Sequence, residues 1–205
     1  WYSSTVAKDQ TYDHLSSISS FGSTNEQSLI ASGGNDKTTF YLSFGRTYEK
    51  SHWIDWSEYK ELVPTTYGHK PNRETPSDYT RHTIRLKGSH LLNENLTLSS
   101  SISYVKVNTN NIARAHTTDG IGRGLLSTPP DFNLLPYLNP ETQYHRTSTN
   151  ETSVNPQGPH SWNNPYWVLF EMMQKQELNR VYGNIKIDYK PISWATISYN
   201  IGADY

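Results

Sequence analysis

The chain has 205 residues, and its 18 Lys and Arg residues nearly balance 19 Asp and Glu residues, giving a net charge of -1. This balance offers no basic surplus of the kind that nucleic-acid binding requires. Only 34% of the residues are hydrophobic, although 15 Tyr, 6 Trp and 5 Phe are present. The composition is too polar for a helical membrane protein and too aromatic for a disordered segment, and it favours an all-β fold.

The sequence contains no cysteine, which excludes disulfides and cysteine-ligated metal centres. It starts at Trp1 without a targeting pattern and stops at Tyr205 within an alternating run of residues. These ends predict that the sequence is a segment of a longer protein.

The first predicted hairpin lies near the N-terminus. Thr38–Thr47 alternates large apolar residues with polar or small ones, which is the period of a β-strand. The weaker pattern of Asn25–Gly33 is its expected partner. The Gly-Gly-Asn-Asp-Lys segment between them supplies residues that tolerate the backbone of a tight turn.

Two further hairpins follow the same period. Arg81–His90 is followed by Leu96–Tyr104 after a short polar turn. Val181–Tyr189 is followed by Ala195–Ile201 after the turn at Lys190–Ser193. The sequence therefore predicts six strands arranged as three tight hairpins.

The connections between the hairpins are long. Tyr48–Ser77 has 30 residues and Asn108–Gln176 has 69, far above the usual length. Short turns at one end and long loops at the other are typical of bacterial outer-membrane barrels. The predicted fold class is all-β, an antiparallel transmembrane β-barrel fragment of about six strands with short periplasmic turns and long extracellular loops. Six strands cannot close such a barrel, so further strands are expected elsewhere.

A soluble β-sandwich would produce the same alternation, with one face in a core and the other in water. Two features favour the barrel: the strands exceed the usual sandwich length, and aromatic residues such as Tyr104, Tyr189 and Trp194 lie near their ends. The alternative function is then a secreted β-rich binding or adhesion module. A glycan-degrading enzyme is a more distant alternative, because no carboxylate pair is recognisable.

Six motifs occur in order along the chain: Tyr12–Gly22, Ser32–Ser43, Gly124–Phe132, Asn164–Trp167, Asn179–Asn184 and Tyr189–Trp194. Together they resemble the SusC/RagA family of TonB-linked (TonB-dependent) outer-membrane transporters. The resemblance divides the chain into a plug-to-barrel connection, residues 1–23, and a partial barrel, residues 24–205, whose extracellular loops are residues 48–77 and 108–176.

The resemblance implies a barrel of about 22 strands that spans the bacterial outer membrane many times and encloses an N-terminal plug. It implies energy supplied through TonB, a SusD-like surface lipoprotein as partner, and import of oligosaccharides or peptides, as in members from Bacteroidota. The plug and the TonB-contacting part are not in this sequence. No enzyme activity, cofactor or nucleic-acid partner is implied.

Two sets of residues are candidates for functional contacts. Aromatic side chains in the long loops can stack on a sugar, pack against a lid protein, or pack the loops against each other: Trp53, Trp56, Tyr59, Tyr137, Tyr144, Trp162, Tyr166 and Trp167. Charged residues on the polar strand faces are expected to face the lumen, where they pair with a plug, tune what passes, or are simply solvated: Arg81, Arg85, Lys87, Lys186 and Asp188.

No catalytic constellation or metal motif is recognisable in the sequence. The densest cluster of possible ligands is His52 with Asp55 and Glu58, and the alternative is that these are exposed loop residues. Gly120–Gly124 is glycine-rich and precedes two prolines, which predicts a flexible loop rather than a phosphate-binding turn. Phe170–Gln176 is expected to form a short helical turn.

Overall fold

The computed structural model describes residues 10–62, 76–113, 120–138 and 162–205. Among these residues, no helix is long and apolar enough to cross a membrane. The elements in chain order are α1 (His14–Ile18), β1 (Ser23–Gly34), β2 (Thr38–Lys50), α2 (Trp56–Leu62), β3 (Tyr79–Asn93), β4 (Leu96–Asn111), α3 (Ile121–Ser127), α4 (Pro165–Glu171), β5 (Gln174–Ile192) and β6 (Ala195–Asp204).

The chain forms two compact units. The sheet unit consists of Thr24–Glu49, Tyr79–Thr109 and Gln176–Tyr205. The loop unit takes its described residues from the remaining segments, which are the N-terminal segment and the two long connections. Strands and long connections therefore pack separately.

The sheet unit is a six-stranded antiparallel sheet with the strand order β1-β2-β3-β4-β5-β6. Every strand lies beside its neighbour in the sequence, so the three predicted hairpins are confirmed. Within the described residues β1 and β6 are the two edges, and the sheet is open. The all-β fold class predicted from the alternating pattern is confirmed as well.

The β1–β2 turn is closed by the side chain of Asn35. Its Oδ1 accepts hydrogen bonds from the backbone N–H groups of Lys37 (3.0 Å) and Thr38 (2.9 Å). The backbone N–H of Asn35 donates to the carbonyl of Thr38 at 2.7 Å. Asn is common in turns because its short side chain can make such local bonds. The β5–β6 turn is shorter than predicted, since β5 continues to Ile192.

Strands β2 and β3 pair with each other although a long connection separates them in the sequence. Strands β2 and β3 pair from Thr38↔His90 to Glu49↔Tyr79, and β3 pairs with β4 from Tyr79↔Thr109 to Asn93↔Leu96. The strands are longer than predicted, with 15 residues in β3 and 16 in β4. The connections are correspondingly shorter than the predicted loops, 51–78 and 112–173.

The loop unit has its own hydrophobic core, in which α4 is central. Asn164 precedes the helix, and its Oδ1 accepts from the backbone N–H of Tyr166 at 2.9 Å. Pro165 occupies the first turn, where its missing N–H costs no helical hydrogen bond. Tyr166 and Phe170 are fully buried. An N-terminal cap, a proline and a buried apolar face together explain why this short segment is helical.

The N-terminal segment belongs to the loop unit. The backbone N–H of Tyr12 donates to the carbonyl of Pro130 at 2.7 Å, and the hydroxyl of Tyr166 donates to the carbonyl of Ser17 at 3.1 Å. Ile18 is fully buried in the same core. The role of residues 1–23 as a connection between plug and barrel stays a prediction.

Two local predictions were wrong. Gly120–Gly124 is not a flexible loop, because α3 begins at Ile121. The expected helical turn at Phe170–Gln176 lies earlier, since α4 begins at Pro165 and ends at Glu171, and β5 begins at Gln174. In both cases contacts between distant segments outweigh the local pattern.

Gly124 allows α3 and α4 to approach closely. A Cβ at this position would lie 2.5 Å from the carbonyl oxygen of Asn163 and 3.0 Å from Cγ of Pro165. We expect Gly124→Ala to destabilise the loop unit by about 1–3 kcal/mol, as overpacking in a core does. The control is Leu126→Ala on the same helix, where the side chain is 80% exposed. Limited proteolysis of the intact protein in detergent measures the difference, and equal cleavage rates for the two variants would contradict this packing.

Candidate functional site

The two faces of the sheet differ sharply in chemistry. Cross-strand partners share a face, and the pairs Leu42↔Leu86 and Leu86↔Ile102 carry apolar residues across three strands. The pair Ile185↔Ile201 does the same on β5 and β6. The hydroxyl of Tyr104, two residues from Ile102, donates to Oδ1 of Asn179, which lies on the same side of β5 as Ile185, so the two rows share one face. We call this the apolar face.

The apolar face is not covered by other parts of the described chain. Ile185 is 51% exposed and Ile201 is 57% exposed. The other large apolar residues of this face are exposed as well: Phe40, Leu42, Phe44, Ile84, Leu86, Ile102, Val181, Ile187, Tyr189, Ile197 and Tyr199. An exposed apolar surface of this extent marks a site of contact with lipid or with another protein.

The opposite face is polar and carries all five charged residues predicted to face the lumen. On β3, Arg81, Arg85 and Lys87 are separated by even numbers of residues, so their side chains lie on one side of the strand. Lys186 and Asp188 do the same on β5, and Lys186 lines a groove together with Lys87. We call this the polar face.

Arg85 is held at the centre of the polar face by neutral groups. Its Nε donates to Oγ of Ser103 at 3.2 Å, and its Nη2 donates to the hydroxyl of Tyr182 at 3.3 Å. Ser103 is buried beneath it. Because both partners are uncharged, the guanidinium is positioned but its charge is not neutralised.

The groove beside Lys87 has a volume of about 590 Å³. Its polar lining is formed by hydroxyl groups, one amide and two ammonium groups, from Thr39, Tyr41, Lys87, Ser89, Ser99, Ser100, Ser101, Asn184 and Lys186. No carboxylate is among these described lining residues. The Nζ of Lys87 lies 5.7 Å from the centre of the Tyr41 ring, within the range of a cation–π contact.

Two carboxylates on the polar face of β5 and β6 are paired within their own hairpin. Nζ of Lys186 lies 2.9 Å from Oδ1 of Asp188, which also accepts from the hydroxyl of Ser198. Arg180 forms a two-point ion pair with Asp204. Asp188 and Asp204 are therefore already occupied.

Most of the predicted aromatic contact residues lie in the core of the loop unit. Tyr59 is central: its ring lies 5.0 Å from Trp56 and Phe170, 5.4 Å from Tyr137 and 5.7 Å from Tyr166. These contacts join the first long connection to the second. The arrangement is what loop-to-loop packing requires.

The predicted aromatic residues differ in exposure. Trp53, Tyr59, Tyr137, Trp162 and Tyr166 are buried. Trp56 and Trp167 are only half-buried against the same core, so part of each indole is accessible. Tyr144 lies outside the described residues. Contact of any of them with a substrate or a lid protein stays a prediction.

Two tyrosine hydroxyls in the core have polar partners. Tyr137 donates to Oε1 of Glu171 at 2.7 Å, and burial together with this carboxylate raises the pKa of Tyr137 above its usual range. Burial also raises the pKa of Tyr166, whose hydroxyl donates to Ser17. Both side chains are therefore neutral donors that tie segments together.

Within the cluster of His52, Asp55 and Glu58, the two carboxylates have a structural role at the start of α2, while the His52 ring lies against Trp53. Oδ1 of Asp55 accepts from the backbone N–H of Ser57 (2.8 Å) and of Glu58 (3.1 Å). Oε2 of Glu58 accepts in return from the N–H of Asp55 at 2.8 Å. This reciprocal pair is a capping box. Among the described residues, no group of His, Asp or Glu side chains could hold a metal ion.

Sequence reasoning missed several members of these surfaces. Tyr41, Ser103 and Tyr182 contact the cations of the polar face, although only charged residues had been selected there. Side chains alternate between the two faces of a strand, and each of these residues occupies a position that belongs to the polar face. The alternation could therefore have identified them. Phe170 was missed in the aromatic core, and no sequence signal links it to Tyr59, which is more than a hundred residues away.

No protein-family model matches the sequence, and no curated protein matches it. Solved structures do match. Chains from the RagAB peptide importer in its closed-closed and open-open states have TM-scores of 0.65, with 18% and 19% sequence identity. A third structure, of the RagAB peptide transporter, has a TM-score of 0.63 and 18% identity.

The chain has the fold of a segment of a RagAB importer chain. Each match covers 97% of this chain, and the chain spans 19% of the length of each matched protein. The likeness to the SusC/RagA family that the motifs implied is thereby confirmed at the level of the fold. The matched proteins are described as a peptide importer or a peptide transporter.

The capping box makes the stability of the loop unit depend on pH. Burial alone would raise the pKa of Asp55, but hydrogen bonds from Ser57 and Glu58 and the ammonium of Lys50, 3.3 Å away, together lower it below 3.8. A lowered pKa stabilises the fold above the unfolded value, and this contribution is lost as pH falls through the folded value.

We expect Asp55→Asn to be less stable than the wild type at pH 7, with the difference closing as the pH falls below about 4. The measurement is denaturation of the intact protein in detergent at both ends of this range. Asp131→Asn, in the same unit, controls for loss of a charge. A difference that stays constant with pH would show that the pKa of Asp55 is the same in the folded and unfolded states, and would contradict the lowered pKa.

Proposed function

We propose that this chain is part of the barrel of a SusC/RagA-like, TonB-dependent importer in a bacterial outer membrane. The observation that carries the proposal is the exposed apolar face on a sheet whose opposite face is polar. In water such a surface is unfavourable, whereas lipid covers it without cost. The fold likeness to RagAB chains supports the same conclusion.

In this arrangement the apolar face contacts lipid and the polar face lines the lumen. A tilted transmembrane strand needs roughly 9–11 residues to cross the hydrocarbon layer. The longer strands of this sheet therefore extend beyond that layer. The tight turns are then periplasmic and the long connections extracellular. Closure requires further strands, because every backbone group in lipid must be paired.

The proposed substrate is a peptide, with an oligosaccharide as the alternative. The matched structures are described as peptide importers, which favours the peptide. The proposed partners are a SusD-like lipoprotein at the outer face and TonB, which would engage a part of the protein not in this chain. Trp56 and Trp167, with their partly accessible indoles, are the best candidates for contacts with lid or substrate.

The intact mass of the native polypeptide in a detergent-extracted outer-membrane fraction tests this proposal directly. We expect this sequence inside a polypeptide with a mass several times 23.5 kDa. A polypeptide near 23.5 kDa that is recovered without detergent would refute the barrel and support a secreted binding module.

Arginine substitutions test which face meets lipid. We expect Ile84→Arg and Ile185→Arg, each on the apolar face, to destabilise the barrel by about 2–4 kcal/mol and to impair assembly. The reason is the cost of placing a cation in hydrocarbon. The measurement is the heat-modifiable mobility of the full-length protein from outer membranes.

The matched control is Asn184→Arg, one residue from Ile185 and on the polar face. We expect this variant to assemble normally, as we also expect for Arg85→Ser. Equal assembly of the two classes of variant would show that the apolar face does not contact lipid.

A further inference from the structure

The cations of β3 stand apart from the other charges of the polar face. Within the described residues, Arg81, Arg85 and Lys87 form no ion pair with a carboxylate. By contrast, Asp188 and Asp204 are each paired with a cation of their own hairpin. The polar face therefore carries a local positive excess along one strand rather than a balanced mixture.

These cations are presented for contact rather than folded away. Arg81 and Lys87 are exposed. Arg85 is half-buried, and its hydrogen bonds to Ser103 and Tyr182 use Nε and Nη2 and leave Nη1 free of them. Cations that are accessible and have no carboxylate partner attract an anion that reaches them. The strand is thus prepared for a negatively charged ligand.

The spacing of the cations identifies the shape of that ligand. Side chains on one face of a strand repeat about every 6.6 Å, so Arg85 and Lys87 are about 6.6 Å apart and Arg81 is about 13 Å from Arg85. An extended peptide has the same repeat. Carboxylates two residues apart in such a peptide therefore lie opposite Arg85 and Lys87. A carboxylate a further four residues along lies opposite Arg81. Uncharged sugars would leave these charges unpaired.

Polar groups beside the cations fit the rest of such a peptide. The groove next to Lys87 offers serine hydroxyls, including Ser89, Ser99 and Ser101, and the amide of Asn184. Hydroxyls and amides can donate to carbonyl groups as well as accept from N–H groups. The groove beside Arg81 is also polar, and its single carboxylate among the described residues belongs to Glu26.

We propose that Arg81, Arg85 and Lys87 form a binding strip on β3 for acidic, extended peptides, and that this strip gives the importer a preference for anionic cargo. The inference rests on the proposed function, in which the polar face lines the lumen. A strip of like charges raises the local concentration of an oppositely charged ligand, and salt weakens this effect.

The test uses the full-length transporter purified in detergent. Its probes are a short synthetic peptide with Glu at alternate positions and the same peptide with Gln in place of every Glu, and binding is measured by calorimetric titration. We expect the Glu peptide to bind more tightly, and we expect the preference to shrink as the salt concentration rises. Arg81→Gln, Arg85→Gln and Lys87→Gln should each weaken binding of the Glu peptide roughly 2- to 5-fold without affecting the Gln peptide.

The matched control is Lys37→Gln. Lys37 lies in the exposed β1–β2 turn, outside the strip and its grooves, so its removal changes the net charge equally without altering the strip. We expect the preference of this variant to equal that of the wild type. Equal binding of both peptides, or a preference that survives all three substitutions or falls equally in Lys37→Gln, would overturn the inference.

The outcome separates this inference from the proposed function. If the protein assembles in the outer membrane and Ile185→Arg impairs that assembly, the barrel stands whatever the peptides do. If the barrel stands but neither peptide binds, the strip is not a peptide site and the inference fails alone. If the barrel itself fails, the mass measurement shows this first.

Discussion

Each strand of the sheet pairs with the strand next to it in the sequence, and the antiparallel register places like residues opposite one another. Leu42, Leu86 and Ile102 form one such row on three strands. Because side chains alternate between faces, the local period-two pattern adds up to an apolar face and a polar face. In the proposed barrel, lipid contact and a polar lumen both depend on this register.

The loop unit addresses a different physical problem. Long connections without secondary structure lose much conformational entropy when they become ordered, so they need a core of their own. Here Tyr59, Tyr166 and Phe170 supply it, together with short capped helices. The aromatic residues that the sequence offers for binding are therefore mostly used to hold the two connections together, and Trp56 and Trp167 keep the accessible surface.

Electrostatics divide the polar face into a paired part and an unpaired part. On β5 and β6 the carboxylates have local cations, and such exposed pairs contribute little to stability. On β3 the cations have neutral partners only within the described residues, so their charge is available to a ligand on the polar face. The difference between the strands, rather than the net charge of the chain, is what gives the proposed strip its selectivity.

Alternation and turn chemistry act over a few residues, so the sequence is enough to predict the six strands, the three hairpins and the face to which Phe40, Arg85 or Ile185 belongs. The sequence does not predict that α3 begins after Gly120, that Asp55 and Glu58 cap a helix instead of offering metal ligands, or that Tyr59 packs on Phe170. These three features emerge from tertiary contacts. Each depends on segments far apart in the chain, whose contacts outweigh local propensity and leave no periodic signal.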